Sequence, residues 1–159
     1  MNTGDIARSL HTLFAELVDG VPGHGGYVLN RGDAGLLRSL GKLDAAAASR
    51  PNATGSSIAA HVDHVRYGLS LLNRWAVGES PWADADWSAS WRKTVVSDVE
   101  WKRLVAALHD EVSAWARALA GPRDVNETEL SGMIGSVAHI AYHLGAIRQM
   151  NPSMSGPKA

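Results

Sequence analysis

Four long stretches of the sequence place apolar residues at alternating steps of three and four, strand-type alternation is weak throughout, and glycine- or proline-rich breaks separate the stretches. These three observations predict an all-α fold built on four helices. At 159 residues the chain is one ordinary domain. With 45% hydrophobic and 19% charged residues it has enough apolar surface to form a core, which excludes disorder as its global state.

The first helix is expected over residues 3–18, where Ile6, Leu10, Leu13 and Leu17 recur every three or four positions before Gly20 and Pro22 stop the run. A shorter helical piece follows near residues 33–43. The second long helix starts at Ser56 or Ser57 and carries Ile58, Val62, Val65, Leu69, Leu72 and Ala76 on one stripe, a bundle pattern. The third opens on Ser97-Asp-Val-Glu100, a capping box, and runs through Trp101, Leu108, Val112, Trp115 and Leu119 to Gly121. The fourth spans about residues 128–150 and has no charged residue between Glu129 and Arg148. A helix without a charged face is usually surrounded by protein, so it is expected to be the most buried of the four, and a core helix rather than a membrane span. Residues 1–151 are then the domain, and the Ser/Gly/Pro-containing end at 152–159 a flexible tail. Between the second and third helices, residues 77–96 hold Trp82, Trp87 and Trp91, read either as a packed crossover or as a lid over a pocket.

Composition removes several function classes. Lys and Arg total 15 against 16 Asp and Glu, a net charge of −1 that leaves no footprint for nucleic-acid backbones. Without cysteine there are no disulfides, thiolate metal sites or cysteine nucleophiles. The polar N-terminus lacks the run of a signal peptide, so a cytoplasmic location is expected. The glycine-rich residues 20–26 match no phosphate-binding fingerprint, and Arg31-Gly32-Asp33 reads as a turn.

Seven histidines remain as ligands for a metal. His139 and His143 stand at i and i+4 on the uncharged fourth helix, which puts both imidazoles on one face. Two buried imidazoles need two separate partners, and one divalent cation satisfies both. His139-Ile-Ala-Tyr-His143 lacks the glutamate of a zincin, and no Glu stands three residues before any His, so the protease and ferritin-like di-iron patterns are excluded. On the second helix, with Ile58 at zero and about 100° per residue, His61 falls near −60° and His64 near −120°. Both lie on the buried half, and periodicity alone does not choose between them. His11, His24 and His109 read as surface or loop residues.

The run Ser57-Ile-Ala-Ala-His61-Val-Asp-His64 opening one helix, with His139-x-x-x-His143-x-Gly145-x-Ile147 far downstream, resembles the DinB/YfiT-like family, as do Trp87-Ser-x-Ser-Trp91 and Glu100-Trp101 between them. The resemblance extends from the first helix to about Met150. It implies an up-down four-helix bundle with a histidine triad holding one divalent ion, Zn²⁺ or Ni²⁺. The family's ligand seven residues after the helix-opening Ser or Thr corresponds to His64, so the implied metal ligands are His64, His139 and His143, with His61 one turn away as an alternative or additional group.

Three neutral imidazoles without a fourth protein ligand describe an open site, where an ion lowers the pKa of a bound water to about 7 or holds a thiolate. The resemblance implies hydrolysis or thiol transfer on a small molecule, in a pocket between the second and fourth helices. The alternative is a non-catalytic bundle that the metal staples or that stores a ligand. Tyr67 and Tyr142 adjoin the ligands in sequence and are read equally as groups that hydrogen-bond a substrate or as packing. No nucleic acid or membrane is expected as partner, whereas six Trp in so short a chain point to a homodimer.

Overall fold

A computed structural model describes residues 3–158 apart from Pro22, His24, Pro122 and Arg123. It is all-helical, with no strand among the described residues. The order is α1 (Thr3–Asp19), α2 (Gly35–Leu40), α3 (Ala45–Ala48), α4 (Ile58–Ala76), α5 (Asp98–Ala120) and α6 (Glu127–Met150). Short 3-10 turns at Ala89–Trp91 and Pro152–Met154 complete it. The four long helices match the four expected stretches, and their arrangement is compatible with a four-helix bundle. The shorter piece expected near 33–43 is α2, ended at Gly41, and a one-turn helix not expected from the sequence, α3, follows it because the Asp44 side chain caps it by accepting from the Ala47 N–H.

Three of the long helices, α4, α5 and α6, begin where side-chain chemistry satisfies free N–H groups. Ser57 caps α4, accepting from the Ala60 N–H. Ser97 and Glu100 form the capping box of α5. Asn126 and Glu129 form a second box on α6, a signal present in the sequence as Asn-x-x-Glu but not read there as a cap. At the other end of α1, Gly20 adopts φ +85°, and a Cβ there would lie 2.1 Å from the Asp33 carbonyl oxygen. Only glycine fits so close a crossing.

The core is one cluster fed by every long helix. Phe14 and Leu17 of α1, Ile58, Val62 and Val65 of α4, Leu108, Trp115 and Leu119 of α5, and Ile140, Leu144 and Ile147 of α6 are all essentially inaccessible. α4 packs along α5, α1 lies against α5 and α6, and α6 lies against α4. Trp115 ties α5 to α6 by donating from its indole N–H to the Ser136 Oγ at 2.8 Å. The α4–α6 contact positions the histidines.

Two expectations need correction. α6 is not the most buried helix: Met133, Ser136, Ile140, His143, Leu144 and Ile147 face inward, but Ile134 and Tyr142 are 52% and 68% exposed. Its outward positions are held largely by small residues such as Gly135, Ala138 and Gly145. Such residues remove charge from a helix face without creating a demand for burial. By length and composition α6 is the one described helix that could cross a membrane, with 39% of its apolar window buried here. Nor is the C-terminal end a free tail. Met154 is buried in the core, and the Asn30 side chain donates to the Pro157 carbonyl at 2.9 Å, so the chain folds back onto the 21–33 connection.

That connection is held by two buried carboxylates. Glu16 accepts from the N–H groups of Tyr27, Val28 and Leu29 at 2.6–2.9 Å. Burial raises the pKa of Glu16, but the three N–H donations outweigh it and hold the carboxyl below its ordinary range. Asp33 accepts from the Gly35 N–H and from Arg148 at 2.6 Å, joining the turn to the last turn of α6. Residues 27–29 are thus pinned to α1, and Arg31-Gly32-Asp33 is a structural turn.

Trp115 makes the strongest test of this packing. Replacing it by Ala is expected to cost about 3–5 kcal/mol, from the lost side-chain volume and the broken bond to Ser136. Val99, on the exposed face of α5, is expected to cost less than about 0.5 kcal/mol as Val99→Ala. Urea midpoints of the two variants check the contrast.

Candidate metal centre

His61 and His64 reach the α4–α6 seam from the first two turns of α4, and His139 and His143 meet them from the middle of α6. The N-cap at Ser57 sets the register of α4, so that His61, one turn in, and His64, a further turn on, both point inward. His64 and His143 are buried, and His139 is half-buried. Each of these three offers a ring nitrogen, all within 4.8 Å of one another. No carboxylate belongs to the group. A tetrahedral ion at about 2.0–2.1 Å from each nitrogen separates its ligands by about 3.4 Å. The three imidazoles fit such an ion with small side-chain adjustments.

The hydrogen bonds around them favour the same orientation. His143 Nε2 lies 2.9 Å from His139 Nε2, and His143 Nδ1 lies 2.9 Å from His61 Nδ1. If Nε2 of His143 gives its lone pair to an ion, its proton resides on Nδ1 and is donated to His61. His64 Nδ1 lies 3.0 Å from the Ser90 Oγ, which donates to the Trp87 carbonyl at 3.1 Å. That pairing leaves Nε2 of His64 for the seam. Partners of this kind hold the ring and the tautomer of metal-ligating histidines. His61, which periodicity did not separate from His64, is therefore placed behind His143 rather than within the three.

Residues 77–96 form a cover over the seam as well as a crossover. Trp91 stacks on His64, with ring centroids 4.5 Å apart and planes 29° from parallel, and meets His61 edge-on at 5.1 Å. Trp87 lies 5.8 Å from His64 and is itself packed against Tyr67 at 5.7 Å. The Tyr67 hydroxyl accepts from the Asp86 N–H, fastening this cover to α4. Ser90 stands in the sequence only as part of Trp87-Ser-x-Ser-Trp91, and nothing in that run, which has no period, shows its bond to His64. Tyr142 lies on the exposed side of α6 with its ring 5.0 Å from His143. His11 on α1 and His109 on α5 stand apart from the seam, and His24 lies outside the described residues.

Two cavities flank the seam. One of about 210 Å³ reaches His139 between Trp82, Trp87, Gly132 and Gly135. The other, of about 530 Å³, reaches His61 and Trp91 on the opposite side. No family model matches the chain, and neither does any curated protein or solved structure.

Burial sets the charge state of the four rings. It holds His64 down at about 4, with His139 and His61 pushing the same way, and His143 down at about 3, with His139, His61 and His64 adding to it. Burial also lowers His61 and His139. All four are neutral at pH 7 and ready to give a lone pair. Because their folded pKa values lie below the unfolded value of about 6.5, the unfolded chain binds more protons as the solution turns acid. Their contribution is complete above about pH 6.5 and is lost as pH falls toward 4 and 3. The metal-free protein is therefore expected to lose melting temperature between about pH 6.5 and 4.5, above the range where most carboxylates titrate. Thermal melts in chelator check this, and a profile flat over that window would contradict buried, neutral imidazoles.

Proposed function

We propose that the chain is a metal-dependent protein of the DinB/YfiT-like type, an up-down four-helix bundle that binds one divalent ion through His64, His139 and His143. The observation that carries this reading is the convergence of three imidazoles from two helices, with no carboxylate among them. Five of the residues from which the resemblance was drawn, His64, His139, His143, Trp87 and Trp91, are packed together around one seam, whereas Trp101 packs against the connection at Leu43. Imidazole-only ligation suits Zn²⁺ or Ni²⁺. Bound there with a coordination position open, the ion would supply Lewis acidity, making a water or thiol more acidic.

The protein's own groups supply the rest. His61 and Ser90 orient two ligands, and Trp87 and Trp91 shield the seam from water, which strengthens electrostatic effects inside it. A small molecule as substrate, acted on by hydrolysis or thiol transfer, is the function this arrangement supports best. One observation favours a non-catalytic alternative, in which the ion only staples α4 to α6. The cavity that reaches His139 holds about 210 Å³, below the roughly 300 Å³ at which small-molecule pockets begin.

Metal content separates the ligands. His64→Ala, His139→Ala and His143→Ala are each expected to lose most bound Ni²⁺ or Zn²⁺, whereas His61→Ala keeps the ion with about 10–100-fold weaker affinity, the usual effect of losing an orienting partner. Full occupancy in His139→Ala or His143→Ala, by elemental analysis of folded protein, would overturn the site.

Removal of the ion tests the staple reading. The core gathers apolar residues from all four long helices without help from the seam, so chelation is expected to leave the far-UV helical signal nearly unchanged while lowering the melting temperature. Loss of the helical signal would favour a purely structural metal.

A further inference from the structure

The larger cavity beside the seam, of about 530 Å³, has a wall of polar and aromatic side chains. Its lining includes Ser56, His61, Trp91, Tyr142 and Gln149, and none of the described residues that line it is charged. The Ser56 Oγ is buried and has no hydrogen-bond partner. A buried hydroxyl without a partner costs stability, and rotation about χ1 into the cavity lets a ligand pair with it and recover that loss. The wall around Ser56 is rigid. The Asn52 side-chain oxygen accepts from the Thr54 N–H, the Thr54 hydroxyl and the Ser56 N–H at 2.8–3.0 Å, so those groups are already spent. His61 has its Nδ1 engaged with His143, which leaves Nε2 as its second ring nitrogen. Trp91, Tyr142 and Met150 add aromatic and apolar surface.

We propose that this cavity binds an uncharged, polar small molecule with a flat portion, held by hydrogen bonds to Ser56 and its neighbours and packed against Trp91. Charge decides the class. An ion entering a partly desolvated site lined by no opposite charge loses hydration without recompense. A neutral amide or hydroxyl group loses much less and regains it from Ser56.

Three residues of this wall also touch the histidines. Trp91 stacks on His64, His61 bonds to His143, and Tyr142 packs on His143. An occupant that holds Trp91 and His61 in place therefore favours the ligand geometry, and by linkage the ion favours the occupant by the same factor. This coupling rests on the metal reading above; the binding itself does not.

A matched series of probes tests both parts. Benzamide, benzoate and benzamidine share one ring and differ in head-group charge. Calorimetric titration of the full chain is expected to show benzamide binding at least about tenfold more tightly than either ion. Ser56→Ala is expected to weaken benzamide by several-fold without lowering the melting temperature, because it deletes an unpaired hydroxyl. Gln149→Ala, at the exposed rim, serves as a second variant and should leave the fold unchanged while weakening benzamide. No binding of benzamide, equal binding of the three probes, or unchanged affinity in both variants would overturn the proposal. With Ni²⁺ bound, benzamide affinity should rise, and Ni²⁺ affinity should rise by an equal factor with benzamide bound. In His139→Ala, whose replaced residue does not line this cavity, benzamide binding should persist and be indifferent to Ni²⁺. Benzamide selectivity in a wild-type chain that takes up no Ni²⁺ would support the cavity and count against the metal centre alone.

Discussion

Four imidazoles in one desolvated seam are the constraint around which this end of the molecule is arranged. Each ring has two nitrogens, and only one carries a proton in the neutral form, so the cluster has to be satisfied by matching donors to acceptors. Ser90 takes one nitrogen of His64, His61 takes one of His143, and His139 and His143 face each other. The nitrogens left over converge from α4 and α6. Charging any of these rings would cost desolvation, to which repulsion from the other rings adds at His64 and His143, so all four are pushed toward the neutral form. Neutral rings, already oriented, are what a metal ion requires of histidine.

The scaffold keeps this seam apart from its own stability. The apolar stripes of α1, α4, α5 and α6 close a core alongside the seam, with Phe14, Leu108 and Trp115 fully enclosed. The long connection after α1 is secured independently, through Glu16 and through the Asp33–Arg148 pair. A polar cluster in the seam is therefore carried by packing elsewhere, and functional sites commonly depart from the local rules of folding in this way.

Much of this was legible in the residues. The stripes of Ile58, Val62, Val65 and Leu69, or of Leu108, Val112, Trp115 and Leu119, become buried faces, and Ser57 and Ser97 become caps. The spacing of His139 and His143 puts their Nε2 atoms in contact. What stayed hidden depends on tertiary placement. His61 and His64 both point inward, and only the position of α6 shows which ring joins the other two. Ser90 and Trp91 stand out in the Trp-Ser-x-Ser-Trp run, but the segment has no period to show that they meet His64. Absence of charge in α6 suggested enclosure, yet Gly135, Ala138 and Gly145 leave that face open, and a helix's mean hydropathy does not report where its side chains point. Met154 shows the converse, a buried anchor inside a stretch whose composition reads as a tail.

The central claim is that imidazole nitrogens, and nothing else from the chain, hold the ion. X-ray absorption at the K edge of bound Ni²⁺ or Zn²⁺ tests it most directly, because imidazole rings add outer-shell scattering that carboxylates lack. The account predicts three imidazole ligands, at about 2.0–2.1 Å for zinc, with the remaining position filled by a light atom from solvent. A first shell made of carboxylate oxygens, or one with a single imidazole, would contradict it.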